Sequence, residues 1–235
     1  MRTESSFLSA LKMLSPMIIG MLPFAIAFGI FCVAAGVPGN YAILMSATVY
    51  AGLAQFVAVD MYAHGLDNFA ILIGFVLLVN LRFTLMGLSL KSHSPTRARW
   101  KDCLLSFGLS DEPYVVAVNQ FSTHGYCLSF HIWAYLLVYI FWVFGTAIGV
   151  YASSLISNPH SYGLEFALCA AFLVMLIPRV KQWDEFAAAL LSGFLAIIFY
   201  SAGVGEASII LASMFSISGV AIIKKNVAAT DRRYE

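Results

Sequence analysis

Charged and polar side chains interrupt several long apolar runs of this sequence. Arg82 stands in the middle of one run, Asp111 and Glu112 in another, and Gln55 in a third. An ionised group at the centre of a bilayer costs about 2.5–3.5 kcal/mol on insertion scales, so such groups are expected to have a function. About 13 Å of helix separates Arg82 from Lys91, and this distance makes it difficult for the guanidinium to reach the membrane surface.

The acidic pair has the pattern of a helix that begins inside its run. Ser110 or Asp111 fits the N-cap position, and Pro113 fits the first turn. A helix that begins at membrane depth presents free N–H groups and a positive dipole end, and its acids could titrate there. We therefore interpret Asp111 and Glu112 as binding or coupling groups. Arg82 is either a structural ion-pair partner or a group that handles a substrate.

The composition places these residues in a membrane protein. The chain has 235 residues, of which 61% are hydrophobic and only 11% are charged. A soluble domain has about 25% charged residues, so this chain cannot cover a globule with polar side chains, and its outer surface must face lipid. The net charge of +1 gives no electrostatic reason to expect nucleic-acid binding.

Eight apolar runs approach or exceed the roughly 20 residues that a helix needs to cross a membrane. They are residues 11–36, 41–62, 68–90, 102–121, 130–157, 162–177, 183–202 and 206–223. The predicted fold class is an all-α polytopic membrane protein with about 6–8 membrane segments, including broken or re-entrant helices around a central site. We expect a single transmembrane transport domain over residues 1–223 and a polar cytoplasmic tail over residues 224–235.

Lysine and arginine residues outside the runs indicate the orientation. They form four groups, at residues 2 and 12, 91–101, 179 and 181, and 224–233. If all four groups are cytoplasmic, the fourth run enters and leaves on one side, and one of the first three runs fails to cross. We predict that the fourth run and either the first or the second are broken or re-entrant, and that both chain termini are cytoplasmic.

Glycine coincides with polar residues at two of these runs. Gly52 precedes Gln55, and Gly108 precedes the acidic pair. Many transporters build substrate sites from broken helices whose unwound backbone lines a cavity, so these interruptions favour a site near the membrane midplane. Gly145 and Gly149 form a GxxxG pattern, which predicts helix packing within this chain or with a partner.

Motifs of catalysis are missing from the sequence. It contains no phosphate-binding G-x-x-x-x-G-K-[ST] loop, no H-E-x-x-H, and no G-x-S-x-G elbow around Ser110. The four cysteines are far apart, so neither a disulfide framework nor a zinc site is predicted. We predict no enzyme activity, no cofactor and no metal. Asp60 lies near the end of its run and is expected to be an ordinary interfacial residue.

Five segments occur together in an order and at a spacing typical of one family. They are residues 22–29 (LPFAIAFG), 50–56 (YAGLAQF), 80–87 (NLRFTLMG), 107–112 (FGLSDE) and 142–149 (WVFGTAIG). Over nearly its whole length the chain resembles the AzlC-type large subunit of branched-chain amino acid exporters. It departs from that family at Phe83, where histidine often follows the motif arginine, and this shifts any proton-carrying role to Asp111 and Glu112.

The resemblance implies export of neutral amino acids such as valine, leucine, isoleucine or methionine across a bacterial inner membrane, driven by an ion gradient. It also implies a small AzlD-type membrane subunit as a partner, and we add a higher oligomer as an expectation. Two other functions stay open, a passive channel for a small neutral solute and a membrane scaffold that transports nothing. Uphill flux would exclude the channel, and the buried charges argue against the scaffold.

The residues suit a zwitterionic amino acid, which needs a cation or helix N-terminus, hydrogen-bond acceptors and an apolar slot. Arg82 and the N–H groups near Ser110 are predicted to hold the carboxylate, and Asp111, Glu112 and Gln55 the ammonium group. The predicted substrate-binding or coupling residues are Arg82, Asp111, Glu112, Gln55, Ser110 and Asn80. The predicted side-chain pocket consists of Phe24, Phe56 and Phe107. One acid of the pair is expected to change protonation during the cycle.

Overall fold

The structure, a computed structural model, describes residues 5–65, 69–94, 99–155, 182–204 and 207–231, together with Leu173, Ile177 and Val180. The regular elements in these residues are all helical, which confirms the predicted fold class. They are α1 (Ser6–Ala34), α2 (Gly39–Thr48), α3 (Gly52–Ala63), α4 (Phe69–His93), α5 (Arg99–Phe107), α6 (Asp111–His124), α7 (Leu128–Ser153), α8 (Trp183–Ser201) and α9 (Ala207–Asp231).

The chain divides into two compact units, each described by itself below. The first unit, Met1–Ala171, contains α1 to α7, and the second, Phe172–Glu235, contains α8 and α9. The expectation of one transport domain over residues 1–223 stays a prediction.

Helices α1 and α7 run parallel through the first unit. Near the start of both helices, the Ser6 hydroxyl lies 3.8 Å from the Cys127 sulfur. Near their other ends, Gly29 packs against the backbone of Thr146. Helix α1 is continuous over 29 residues although Pro23 lies inside it, so the first apolar run is unbroken.

Glycines allow this close approach. A Cβ added at Gly149 would overlap the Ile26 carbonyl oxygen, and one added at Gly145 would overlap the Ala25 side chain. The structure thus places both residues of the GxxxG pattern in a helix contact within the chain. Small residues let backbones approach in this way. The van der Waals contact that results holds the helices together in lipid, where the hydrophobic effect does not drive helix association.

Helices α2 and α3 form a re-entrant segment, which we call the first hairpin (residues 39–63). Helix α2 begins with Gly39 against Val150, near the end of α7. Its last turn has moved along α7 to Tyr139, whose hydroxyl donates a hydrogen bond of 2.9 Å to the Ala47 carbonyl. The chain turns at residues 49–51, between the end of α2 and the start of α3.

Helix α3 then returns toward the end from which α2 came. Gly52 packs against the Trp142 ring, which lies about one turn of α7 beyond Tyr139, toward the end from which α2 came. The Phe56 ring lies 5.7 Å from the ring of Phe31, close to the end of α1. The second apolar run is therefore the broken one of the two candidates, and it turns back instead of crossing.

Helices α5 and α6 form a matching segment at the other end of the unit, which we call the second hairpin (residues 99–124). Its tip lies at Gly108, where a Cβ would overlap the Tyr135 side chain of α7. Helix α6 then runs back, and its Phe121 ring packs 5.3 Å from the ring of His131 near the start of α7. The predicted re-entrant fold of the fourth run is confirmed.

Helix α4 connects the two hairpins and runs antiparallel to α1 and α7. Arg82 contacts Asp111 at the start of α6, and Ser89 accepts a hydrogen bond of 3.0 Å from the Tyr114 hydroxyl one turn later. Helices α4 and α6 thus point the same way, toward the start of α7. With 25 residues α4 is about 37 Å long, so its own start lies at the opposite end.

The basic residues at 12 and 91 therefore lie at one end of the first unit, the end where α1 and α7 begin. We call it the basic end. There Lys91, in the last turn of α4, forms an ion pair with Asp102 of α5. The arrangement agrees with the positive-inside argument, which required an even number of crossings between these two basic groups.

Four helical segments of the described residues are long and apolar enough to cross a membrane: Ser6–Ala34, Leu72–His93, Leu128–Ser153 and Trp183–Ser201. Leu211–Val220 is a shorter apolar helix. The predicted sixth run, residues 162–177, lies outside the described residues except for Leu173 and Ile177.

The second unit is an α8–α9 helix pair. The Ser216 hydroxyl donates a hydrogen bond of 2.6 Å to the Ala188 carbonyl, and the Ser192 and Ser213 hydroxyls lie 3.3 Å apart. Helix α9 continues to Asp231, past residue 223 where we expected the membrane segment to end.

Candidate functional site

The tips of the two hairpins meet beside α7. The Tyr50 hydroxyl of the first tip lies 3.2 Å from the Ser110 hydroxyl of the second. The Tyr50 ring centroid is 6.2 Å from that of Phe107 and 5.2 Å from that of Tyr139 on α7. Since α3 and α6 both begin at this junction, the positive ends of two helix dipoles lie near it.

Tyr50 has a strained backbone. Its φ of 46° lies in the left-handed region, and within the described residues no other non-glycine residue has a positive φ. Such a conformation costs about 1–3 kcal/mol and persists only where the surroundings enforce it, often at functional sites. The tip of the first hairpin is therefore a place where strain accompanies a specific side-chain contact.

Arg82 and Asp111 form a mostly buried ion pair next to this junction. The Arg82 Nη1 to Asp111 Oδ2 distance is 2.8 Å, and the side chains are 28% and 9% exposed. The guanidinium carbon also lies 5.0 Å from the centroid of the Phe83 ring. Breaking a buried pair by removing one partner leaves an uncompensated charge, so each of these residues stabilises the other.

Two polar atoms on α4 are buried without a hydrogen-bond partner in the described part of the chain. They are the Nε of Arg82, a donor, and the Oδ1 of Asn80, an acceptor. A buried polar group left unpaired costs about 1–3 kcal/mol. The two residues are two positions apart on α4, so their side chains leave the helix in nearly opposite directions, and of the two atoms only the Arg82 Nε belongs to a side chain of the ion pair with Asp111.

Ser110 is the N-cap of α6, and Asp111 and Glu112 occupy its first turn. The Ser110 hydroxyl donates to the Glu112 Oε2 at 3.4 Å instead of capping a backbone N–H. The first hairpin is thus linked through Tyr50 and one hydroxyl to a carboxylate of the second hairpin.

Gln55 lies in an internal polar network. It is fully buried, and its Oε1 accepts hydrogen bonds from the Ala51 N–H (3.1 Å) and the Trp142 indole (3.2 Å). Its Nε2 donates to the Ser46 hydroxyl, which lies 2.8 Å from the Thr146 hydroxyl. The sequence analysis expected Gln55 to accept from an ammonium group. Here its oxygen already accepts two hydrogen bonds, one that closes the turn of the first hairpin and one that fastens the hairpin to Trp142 of α7.

The three predicted pocket residues lie in two different aromatic groups. Phe24 and Phe56 have ring centroids 4.6 Å apart and are 9% and 1% exposed, in a core with Trp142. Phe107 is 50% exposed and packs with Tyr50 and Tyr139 at the hairpin junction. Of the three, Phe107 is the one beside the acidic pair in space.

Aromatic residues that support the junction were not among the predicted site residues, above all Tyr50, Trp142 and Tyr135. The last two lie seven residues apart on one face of α7, and each fills the space over a glycine at a hairpin tip, Gly52 or Gly108. The sequence features that could have indicated them are two Gly-Leu pairs, each close to polar residues, and two aromatic residues seven positions apart.

A family profile described as AzlC protein matches residues 16–156, which contain α2 to α7, both hairpins and Arg82. The chain belongs to the AzlC family. A second profile, described as the MJ1155 family, matches residues 160–228. No solved structure matches the chain.

This AzlC-family chain is similar to membrane proteins of several bacteria and of an archaeon. The Branched-chain amino acid transport protein AzlC of Bacillus subtilis is 31% identical over 76% of this chain and 68% of its own length. An uncharacterized membrane protein of Archaeoglobus fulgidus is 31% identical over 85% of this chain and 87% of its own. The inner membrane protein YgaZ of Escherichia coli is 28% identical over 76% of this chain and 75% of its own.

The family and the apolar helices together establish a membrane protein of a transport-related family. This agrees with the family resemblance and with the fold class predicted from the sequence.

Proposed function

We propose that this AzlC-family protein is the large subunit of a secondary transporter that exports branched-chain and related neutral amino acids, driven by an ion gradient. The observation that supports this best is the buried Arg82–Asp111 pair, which lies where two re-entrant hairpins meet. The description of the Bacillus subtilis relative supports the substrate class.

The ion pair suits a zwitterion for an electrostatic reason. A substrate that enters between Arg82 and Asp111 brings a carboxylate for the guanidinium and an ammonium group for the aspartate. No net charge is added to a region of low dielectric, and neither protein charge loses its partner. The open Arg82 Nε supplies one more donor beside the pair.

Phe107 supplies the apolar contact in this proposal. It is half-exposed and adjoins Ser110 through the Tyr50 ring, whereas Phe24 and Phe56 are enclosed in the core. Asp111 and Glu112 couple substrate movement to the ion gradient, because separating Asp111 from Arg82 leaves a buried charge that proton uptake removes.

We also propose that the chain assembles with a small AzlD-type subunit in a bacterial inner membrane, with both termini in the cytoplasm, and that the assembly forms a higher oligomer. Lys12 and Lys91 at one end of the first unit support this orientation. Helix α4 exposes large apolar side chains, including Leu77, Leu81 and Leu85, which suit lipid or a partner helix.

Valine efflux from loaded vesicles against an imposed pH gradient tests the proposal, with the chain alone and with an AzlD-type subunit. We expect Asp111→Asn or Glu112→Gln to abolish pH-driven efflux. Asp102→Asn is the matched control, because it removes a carboxylate from a more exposed ion pair at the basic end. Undiminished, pH-driven efflux in both variants would reject the coupling role. A wild-type protein that equilibrates valine but never concentrates it would be a passive channel.

A further inference from the structure

The contact between the hairpin tips joins two segments that enter the first unit from its opposite ends. The first hairpin enters from the end opposite the basic end, and the second enters from the basic end. The Arg82–Asp111 pair belongs to α4 and the second hairpin, and Tyr50 reaches Ser110, next to Asp111, from the first. The Tyr50 side chain therefore approaches the neighbourhood of the ion pair from the opposite end.

We propose that the Tyr50 side chain is the barrier of the transport path, closing the Arg82–Asp111 site toward the end opposite the basic end. This inference rests on the proposed function and adds a residue and a location to it. Opening the site in that direction requires the Tyr50 hydroxyl to leave Ser110 and its ring to leave Phe107.

The backbone supports a role beyond packing. A left-handed φ is free of strain in glycine, yet the position carries a large side chain that is 5% exposed. The chain thus accepts local strain to hold a phenol at this point. Strain of this kind persists only where the surroundings enforce it, so the contacts of the tip hold Tyr50 in this conformation.

Tyr50 is held on three sides, which gives it a defined closed position. Tyr139 of α7 packs edge-on at 5.2 Å, Phe107 packs at 6.2 Å, and Ser110 meets the hydroxyl at 3.2 Å. Two of these contacts are made to the second hairpin and one to α7. A relative movement of the hairpins would break the contacts with Phe107 and Ser110 and keep the contact with Tyr139.

Proton leak and uphill valine transport in reconstituted vesicles test the barrier. Tyr50→Ala removes the side chain and keeps the strain, and Tyr50→Gly removes both. We expect both variants to raise the proton leak several-fold above wild type and to lose uphill valine transport. Tyr50→Gly is expected to melt at a higher temperature than Tyr50→Ala. Tyr50→Phe keeps the ring without the hydroxyl and should leak to an intermediate degree.

Phe130→Ala is the matched control, since it empties a fully buried ring site near the start of α7, at the basic end and away from the tip contact. It should lower the melting temperature without raising the proton leak. Tyr50→Gly and Tyr50→Ala variants that stay tight and still concentrate valine would overturn the barrier, as would an equal leak in Phe130→Ala. Should Tyr50→Ala fail to fold, Tyr50→Gly and Ser110→Ala carry the same comparison.

The two proposals fail in different ways. A wild-type protein that moves no neutral amino acid overturns the export function. The proton-leak comparison still decides the barrier in that case, because protons report an open path whatever the solute is.

Discussion

Arg82 and Asp111 are the residues where sequence and structure agree most directly. A lone arginine in one apolar run and an acid in another predicted either an ion pair or a substrate site, and the structure brings the two groups to 2.8 Å. The two groups pair because an uncompensated charge is too costly to leave in a membrane segment, and their binding of a substrate stays a prediction. Gln55 and Phe24 were harder to interpret, since buried amides and aromatic rings serve packing as readily as binding.

Lysine should not replace Arg82. The guanidinium uses Nη1 for Asp111 and leaves Nε open, whereas an ammonium group is a point charge without this planar fork. Losing one charge-assisted hydrogen bond of about 1.5–3 kcal/mol predicts a fall of about tenfold or more in valine efflux for Arg82→Lys. Initial efflux rates at matched protein amounts measure it, with Lys91→Arg as the control. Full activity of Arg82→Lys would mean that only the charge matters.

Gln55 is expected to matter for stability. In Gln55→Leu, the Trp142 indole and the Ala51 N–H lose their partner, whereas the Ser46 hydroxyl keeps its contact with Thr146. Each buried group left unpaired costs about 1–3 kcal/mol, so the melting temperature should fall clearly. Asn119→Ala, at an exposed position of α6, is the control. A Gln55→Leu protein with wild-type melting and a raised KM for valine would instead support the ammonium contact expected from the sequence.

The hairpins show what the sequence could predict about the helices and what it could not. Gly52 and Gly108 marked where helices break, and the basic residues required that two runs fail to cross. Neither signal states whether the chain continues or turns back after a break, because that depends on distant aromatic residues of α7. Tyr139 lies at the deepest point of the first hairpin and Tyr135 at the tip of the second.

The parallel packing of α1 and α7 should tolerate no added methyl group at its centre. Gly149→Ala would push a Cβ into the Ile26 carbonyl, and overpacking of this kind costs about 1–3 kcal/mol or more. Gly20→Ala is the matched control, because no atom lies within 4 Å of the added group and alanine favours a helix by about 0.5–1 kcal/mol. Melting curves in detergent should move in opposite directions. Equal curves would contradict the tight contact.

In the whole first unit, two hairpins enter from opposite ends between helices that alternate in direction. Helix α1 leads to the first hairpin and α4 leads to the second, and α1 and α4 are antiparallel. The two halves therefore have inverted orientation, an arrangement known from transporters whose site lies at the interface of the repeats. The sequence predicted the number of re-entrant runs, while this inversion follows only from the contacts along α7.

Thiol labelling can test this arrangement. Single cysteines at Lys91 and His124 should react on the same side of the membrane, and one at Asn40 on the other. All three positions are exposed, and the second hairpin places the first two at the basic end. An impermeant maleimide applied to intact cells and to opened vesicles gives the sidedness. Opposite sides for Lys91 and His124 would mean that α5 and α6 together cross the membrane once.

The glycine contact between α1 and α7 also imposes an order on biosynthesis. At about 5–20 residues per second, the roughly 120 residues between Gly29 and Gly149 take about 6–24 s to translate. For that interval the newly inserted α1 lacks its main neighbour, and the intervening segments must fold around a vacant place. Lipid or the translocon must cover the small-residue surface of α1 until α7 emerges.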